Sequence, residues 1–363
     1  MTLARTTSRQ RIAIVLPPNS RFCATRPNSM ETVIRTLLPH RSADEDVAVF
    51  CDVGADDHGI DVPVIVTGSS SVRAMTKALK AFAPDIIEFH QNVIAATRIS
   101  KHFPHAMCVS YRHNALKGPK NLIDRIRYHH RYRKMDRFVF VSGSEQRIFI
   151  RDFPALAARA SVMTNPINTA PWHAEVGVRD RQIVFSGRAI PEKGVAEVCA
   201  ALPRILDANP DWRAVLLLND WEMHKGFAEP HVAPLRAYGV RVDILHSIPL
   251  DQVRQIMQLS DIALTPSLWE EPLGLTALEA HAAGVVLVSS GRGGLREASG
   301  PHAFYVDEVT PDTLAHAVQS LIDDPVKRLE LAREGQLFVN TEHAPQKRAG
   351  ELTRLRQSLI SRR

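Results

Sequence analysis

Residues 261–297, DIALTPSLWEEPLGLTALEAHAAGVVLVSSGRGGLRE, decide how the rest of the chain is read. The apolar run at 262–266 has the length and composition of a buried strand. A helix is expected to open at Pro272, since proline loses nothing at a first helical position and its φ is already helical. Residues 285–288 form a second buried strand, and a glycine-rich turn closes on Glu297. The unit is strand, helix, strand. Leu273, Gly274 and Leu275 would then leave amides without partners at the positive end of a helix, and Gly274 would let a ligand approach the backbone, which makes an anion site. Glu271 and Glu279 frame it at roughly 12 Å if both are helical. That is too far for one metal ion or one acid–base pair, and suits two ends of an elongated anionic ligand.

The run Glu271-Pro272-Leu273-Gly274-Leu275-Thr276-Ala277-Leu278-Glu279, followed by Ala283-Gly284 and by Gly293-Gly294-Leu295-Arg296-Glu297, resembles the retaining glycosyltransferases of family 4, the group 1 glycosyl transferases with a Glu-x7-Glu motif. The resemblance implies an α/β chain of the GT-B type: two Rossmann-like parallel-sheet domains facing across a cleft, with a C-terminal helix crossing back to the first domain. Two ordinary glutamates on a surface helix would leave the Pro-x-Gly start and the Gly-Gly-Leu-x-Glu turn unexplained.

A chain of 363 residues exceeds one ordinary core and points to two domains. Its apolar and charged fractions, 45% and 23%, are those of a globular protein and exclude disorder of the whole chain. No stretch approaches eighteen uninterrupted apolar residues, and no cleavage site follows the apolar run at 12–18, so the expected location is the cytoplasm. Cys23, Cys51, Cys108 and Cys199 lack Cys-x-x-Cys spacing and read as reduced structural thiols. Sixteen histidines include no His-Glu-x-x-His pair, and no Asp-x-Asp ends a strand, so neither metal nor cofactor is expected. A net charge of +6 and a pI near 9.3 call for an anionic partner. Charge alone admits nucleic acid, anionic lipid or a nucleotide sugar; nucleic acid has nothing else in its favour and is not expected.

In the first half, buried-strand runs at 12–16, 47–50, 62–66, 85–89, 107–111 and 138–141 are separated by helical stretches such as 72–82 and 144–149, the signature of a parallel sheet with ligands at the strands' C-terminal ends. Asn28 and Glu31 have capping-box spacing. Where the family carries Gly-Gly-x-Glu, this chain has Asn28-Ser29-Met30-Glu31, so both glycines are lost and phosphate contacts at that loop are in doubt. Asn28, Ser29, Glu31 and His90 are the acceptor-side candidates. His90 and His113 both fall just past buried strands, where a histidine serves either a ligand or the structure's own hydrogen bonding; by the resemblance, His113 touches the transferred sugar. Between Lys117 and Arg137, Lys120, Arg125, Arg127, Arg131, Arg133 and Lys134 interleave with Leu122, Ile123, Ile126, Tyr128, Tyr132 and Met135. Such a basic amphipathic stretch docks on an anionic bilayer through its cations, Arg125, Arg127, Arg131, Arg133 and Lys134, or else is a solvated face. The inner face of the plasma membrane is the surface it would meet.

Asn165-Pro166-Ile167-Asn168 resembles the turn that closes the family's first domain. The expected division is 1–168 as the acceptor-side domain, a polar linker at 169–181, 182–344 as the nucleotide-sugar domain, and 345–363 as the returning helix. A strand at 183–186 opens into Gly187 and Arg188, then Lys193 and Gly194: two glycines for tight turns and two cations for a diphosphate. The strand at 242–245 ends in His246-Ser247-Ile248-Pro249, where the family's base-binding backbone lies, so Ile248 is the nucleobase neighbour; the segment does not choose between uridine and guanosine, and a UDP-sugar is placed ahead of a GDP-sugar. The resemblance assigns Arg188 and Lys193 to the donor diphosphate, Glu271 to sugar hydroxyls and Glu279 to the ribose, with Gly187, Leu273, Gly274 and Leu275 around the donor. It also implies retention of configuration and an acceptor that is a cell-surface glycan or a lipid-linked precursor. A nucleotide-sugar-binding protein without transferase activity is the alternative that the altered loop at 28–30 leaves open.

Overall fold

The computed structural model describes residues 9–361 except 24–27, 56–58, 115–117 and 178; Lys117 of the basic stretch lies outside the described residues. The chain divides into two compact units, one running to Pro166 and resuming at Pro345, the other Ile167–Ala344.

The first unit contains, in order, β1 (Gln10–Val15), β2 (Arg21–Phe22), α1 (Ser29–Leu37), β3 (Glu45–Cys51), β4 (Gly54–Ala55), β5 (Val64–Val66), α2 (Val72–Phe82), β6 (Ile86–His90), α3 (Val93–Ser100), β7 (Met107–Arg112), α4 (Leu122–Tyr132), β8 (Arg137–Phe140), α5 (Gly143–Asp152) and β9 (Ala160–Val162). Seven strands make one parallel sheet in the order β5-β3-β1-β6-β7-β8-β9, and β2 pairs separately with β4. Helices on a sheet's two faces bury its strands from both sides, and β6 is accordingly buried along its whole length. Asn28, Ser71, Asn92, Asn121 and Ser142 each end an extended or turning segment and accept the amide three residues on, which is why α1 to α5 begin where they do.

The second unit contains β10 (Gln182–Arg188), α6 (Val195–Ala208), β11 (Arg213–Asn219), α7 (Trp221–Val232), β12 (Val242–His246), α8 (Leu250–Leu259), β13 (Ile262–Thr265), α9 (Leu275–Ala282), β14 (Val286–Ser289), α10 (Leu295–Ser299), β15 (Phe304–Tyr305), α11 (Pro311–Asp323) and α12 (Pro325–Glu342). Its six strands are parallel in the order β12-β11-β10-β13-β14-β15. Leu216, Leu264, Val288, Val195, Leu202 and Leu321 belong to its core.

Residues 169–181, expected as a linker, are part of this second unit. Trp172 is buried, Arg179 donates to the carbonyls of Ser260 and Ala283 at 2.8 Å each, and Gln258 donates to the carbonyl of His173 at 3.2 Å. The stretch lacks periodicity because single anchors hold it against the ends of α8 and α9, with no repeating face to mark it in sequence.

After Ala344 the chain returns to the first unit as α13 (Pro345–Ile360). Arg356 fixes it there: its Nε and Nη2 donate to the two carboxylate oxygens of Glu88 at 2.8 Å, and its Nη1 to Glu45 Oε2 at 2.9 Å. All three side chains are buried. Burial alone would lower the Arg356 pKa, but Glu88 and Glu45 hold it above its ordinary value.

Candidate functional site

In each sheet the strand order reverses about one strand. β1 is flanked by β3 and β6, and β10 by β11 and β13, so each unit has a crevice at the C-terminal ends of those strands.

In the second unit that crevice is built by two loops forced close together. After β10 a short turn at Pro191–Lys193 ends in Gly194 at φ +74°, where a Cβ would stand 2.4 Å from the carbonyl oxygen of Pro266. Only glycine lets the β10 loop lie against the end of β13. The closeness joins Lys193 to Glu271: Lys193 Nζ is 2.5 Å from Glu271 Oε1, Ser267 Oγ donates to the same oxygen at 2.5 Å, and Glu271 is 6% exposed. Lys193 also stands 5.7 Å from the centroid of the exposed ring of Trp269.

The helix after Glu271 starts later than expected. Pro272 is not helical; Glu271 instead bridges to Gly293, Gly294 donates its amide to the Glu271 carbonyl at 2.7 Å, and α9 begins at Leu275 after Gly274 turns at φ +103°. A Cβ on Gly293 would sit 2.3 Å from that carbonyl oxygen, so the glycine pair permits the bridge. The first backbone hydrogen bonds of α9 come from Ala277 and Leu278 to Gly274, which leaves the amides of Leu275 and Thr276 open at the positive end. Leu273 turns its side chain into the core. Gly187, expected in a tight turn, lies inside β10 without a positive φ.

Arg188, at the end of β10, is half exposed and donates from Nε to Asp220 Oδ2 at 2.7 Å. Glu279 is partly buried on α9, and burial, opposed by Arg254 of α8, pushes its carboxyl up to about 7. Ile248 is partly exposed, just past Ser247, whose amide donates to the Leu218 carbonyl at 3.0 Å. Beside it the exposed His246 stacks on Trp221 with centroids 3.8 Å apart. Sequence reasoning named neither Ser267 nor Trp269, Arg254 or Asp220 as parts of the site; only Trp269, an aromatic beside the Glu271 loop, carried a local signal. Among the described residues no group of three or more His, Cys, Asp or Glu is placed to hold a metal ion.

In the first unit the two strand-end histidines come together. His90 Nδ1 and His113 Nε2 are 2.8 Å apart, and both rings stack with Tyr111 at 4.8 Å. Burial lowers the His90 pKa to about 3 and the His113 pKa well below its ordinary value, so the pair is neutral at physiological pH and shares one proton between its rings. Its outward nitrogens, His90 Nε2 and His113 Nδ1, are buried without a partner.

Glu31 closes the cap that its spacing with Asn28 predicts: it is 4% exposed, its Oε1 accepts from Asn28 Nδ2 at 2.6 Å, and the Cys23 and Asn28 backbones also bond its carboxylate. The glutamate closes the cap of α1, while Asn28 and Ser29 stay exposed. In the basic stretch, Tyr132 is core, edge-on to Phe138 and Phe153, and Tyr128 packs beside it; the apolar residues facing solvent are Leu122, Ile123 and Ile126. Arg125 is tied to the Asp152 carbonyl at 3.0 Å and Arg127 lies 3.7 Å from Asp124, whereas Arg133 and Lys134 are exposed and Arg131 partly so.

Two parallel-sheet α/β units, each with a crevice at its reversal point, define a protein of the GT-B fold. The crystal structure of Anabaena Alr3699/HepE in complex with UDP superposes with a TM-score of 0.78 over 96% of this chain and 100% of that one, at 16% identity. Residues 169–338, nearly all of the second unit, match the family described as Glycosyl transferases group 1. Curated relatives include the alpha-maltose-1-phosphate synthase of Mycolicibacterium smegmatis, 31% identical with 55% of this chain and 57% of that protein aligned, and the glycogen synthase of Mycobacterium tuberculosis, 32% identical over 55% and 49%. The chain spans about half the length of these relatives.

Proposed function

We propose that the protein is a glycosyltransferase that moves a sugar from a nucleotide-diphosphate sugar, a UDP-sugar first, to a hydroxyl of a glycan or lipid-linked acceptor with retention of configuration. The observation that carries this reading is the Lys193–Glu271 pair set beside the open amides of α9 at the reversal point of the second sheet, inside the segment that matches the family. In the reaction the bond between the anomeric carbon and the diphosphate oxygen breaks, the acceptor oxygen bonds to that carbon, and the acceptor's proton leaves with the diphosphate. Negative charge grows on the leaving group as the sugar becomes cationic. Lys193, Arg188 and the Leu275 and Thr276 amides stabilise the first charge, and Glu271 holds the sugar. Glu279 accepts from the ribose. These groups supply the electrostatics without a metal or other cofactor. The UDP and UDP-glucose complexes of the Anabaena protein support the choice of donor.

A thermal-shift and hydrolysis screen of the purified protein against UDP-, GDP- and ADP-sugars tests the reading. One donor should both raise the melting temperature and slowly lose its sugar to water. Stabilisation by every nucleotide, with no hydrolysis and no transfer to any acceptor, would replace the transferase by a nucleotide-sugar-binding protein.

The state of Glu279 gives a sharper expectation. With a pKa of about 7 in the free protein it is mostly protonated at pH 6, yet only the carboxylate accepts two ribose hydroxyls. UDP-glucose, whose phosphates do not titrate in this range, should therefore bind about tenfold more weakly at pH 6 than at pH 8. Calorimetry in buffers of different ionisation enthalpy should show proton release near neutrality. Glu279→Gln should bind weakly with a flat profile, and a mutant retaining the wild-type slope would remove Glu279 from the ribose.

The first unit supports peripheral docking. Among the described residues no helix is long and apolar enough to cross a membrane. α4 carries the exposed Leu122, Ile123 and Ile126 and is followed directly by the exposed Arg133 and Lys134, a combination of apolar and basic residues that suits an interfacial helix on anionic lipid. Reversing the charges of Arg131 and Arg133 should release the protein from phosphatidylglycerol vesicles in a sedimentation assay, and equal sedimentation of both forms would mark α4 as a solvated face.

A further inference from the structure

The first unit holds a cavity that the donor site does not use. It opens where β1, β3 and β6 end, at the reversal point of the sheet, under the first turns of α2 and α3. Val15, Leu16, Val72, Met75, Phe89 and Ile99 make most of its wall.

Two polar side chains break this apolar lining. Asp52 is 4% exposed; its Oδ2 accepts the Asn19 amide at 2.7 Å, while its Oδ1 is buried without a partner. His90 is 3% exposed and its Nε2 is likewise buried and unpartnered. A buried acceptor left unpaired is costly, so a carboxylate oxygen kept bare at a cavity wall calls for a donor from outside the chain.

The wall also restricts what that donor can be. Asp52 in the wall would repel a negative ligand, and the amides of Ala74 and Ala95 at the helix starts are already bonded by Ser71 Oγ at 3.1 Å and Asn92 Oδ1 at 3.0 Å. Apolar walls disfavour a fully hydroxylated ring. His90 can face the ligand as a neutral donor or acceptor, since its other ring nitrogen is held by His113.

We propose that this cavity is an acceptor subsite that takes the apolar body of an alcohol, with Asp52 Oδ1 accepting the hydrogen of its hydroxyl. That the alcohol is a glycosyl acceptor rests on the transferase reading above. Asp52, Ser70, Ser71 and Asn92 then replace Glu31 on the acceptor side, and His90 remains there. The expected acceptor carries its reactive or neighbouring hydroxyl on an aliphatic ring or chain.

The test uses the full chain and cyclohexanol as probe, read by saturation-transfer difference NMR against cyclohexanecarboxylate, cyclohexylamine and myo-inositol. Cyclohexanol should bind, and the carboxylate and inositol should not. Asp52→Leu removes the acceptor, and Ala95→Phe fills the cavity from α3 without disturbing a polar partner; both should weaken cyclohexanol at least tenfold while thermal stabilisation by UDP-glucose is kept. Cyclohexanol binding that survives both substitutions, or cyclohexylamine binding in its place, overturns the subsite. If Asp52→Leu fails to fold, Ala95→Phe decides. The two readings fail separately. Turnover of a nucleotide sugar without cyclohexanol binding removes the subsite alone. Specific cyclohexanol binding in a protein that transfers no sugar removes the transferase and leaves an alcohol-binding site.

Discussion

Replacing Lys193 with alanine should lower turnover by two to three orders of magnitude, about 3–4 kcal/mol of transition-state stabilisation, with a much smaller change in KM. The expectation rests on where the ammonium stands. Lys193 Nζ is held 2.5 Å from a carboxylate that is itself 6% exposed, so it reaches the site already oriented and largely stripped of water. A charge fixed in this way acts on negative charge as it develops and needs no reorganisation during the reaction. Its removal also leaves Glu271 with Ser267 as its remaining hydrogen-bond partner. Lys193→Arg should recover part of the rate. Steady-state kinetics on the donor found in the screen would check this. A mutant with raised KM and wild-type kcat would show that Lys193 binds ground state and transition state alike.

Arg356→Ala should cost the first unit about 3–5 kcal/mol, the usual effect of stripping one partner from a buried ion pair. Glu88 is left buried without its bidentate partner and Glu45 without its ion-pair partner, and α13 loses its polar anchor to the sheet. Urea denaturation should show an early transition that the wild type lacks, since the two units have separate cores and need not unfold together. Arg356→Leu combined with Glu45→Gln and Glu88→Gln should recover most of the loss, because neutral amides demand far less than bare carboxylates. A loss below about 1 kcal/mol for the single mutant would place the anchoring of α13 in its apolar contacts instead.

Much of the second unit's crevice was legible because its parts lie close in sequence. The strand runs before Arg188 and Glu271, and the glycines of the 293–294 turn, are local patterns whose chemistry can be read within about ten residues. The error there was also local: a proline at a first helical position is good evidence for a helix start, but the Glu271–Gly293 bridge and the turn at Gly274 delay α9 by three residues. Arg254 was not legible. Nothing in its own segment marks it, and it acts on Glu279 only because the fold brings its charge near that carboxylate. In the first unit Glu31 has the spacing of a capping box and of a family motif alike, and the structure shows it closing the cap.

By itself the sequence determined two parallel-sheet units, the strand ends that carry polar residues, and the helices whose Asn and Ser caps are written at their starts. These depend on periodicity and turn chemistry, which neighbouring residues fix among themselves. Only the tertiary structure decided which charge meets which: Lys193 with Glu271 across 78 residues, and Arg356 with Glu88 across 268. It also brought His90 beside His113 and left Asp52 bare at a cavity. Those pairings follow from strand order and from the close approach that Gly194 allows, and a hydrophobic pattern encodes that a strand is buried without encoding which strand lies next to it.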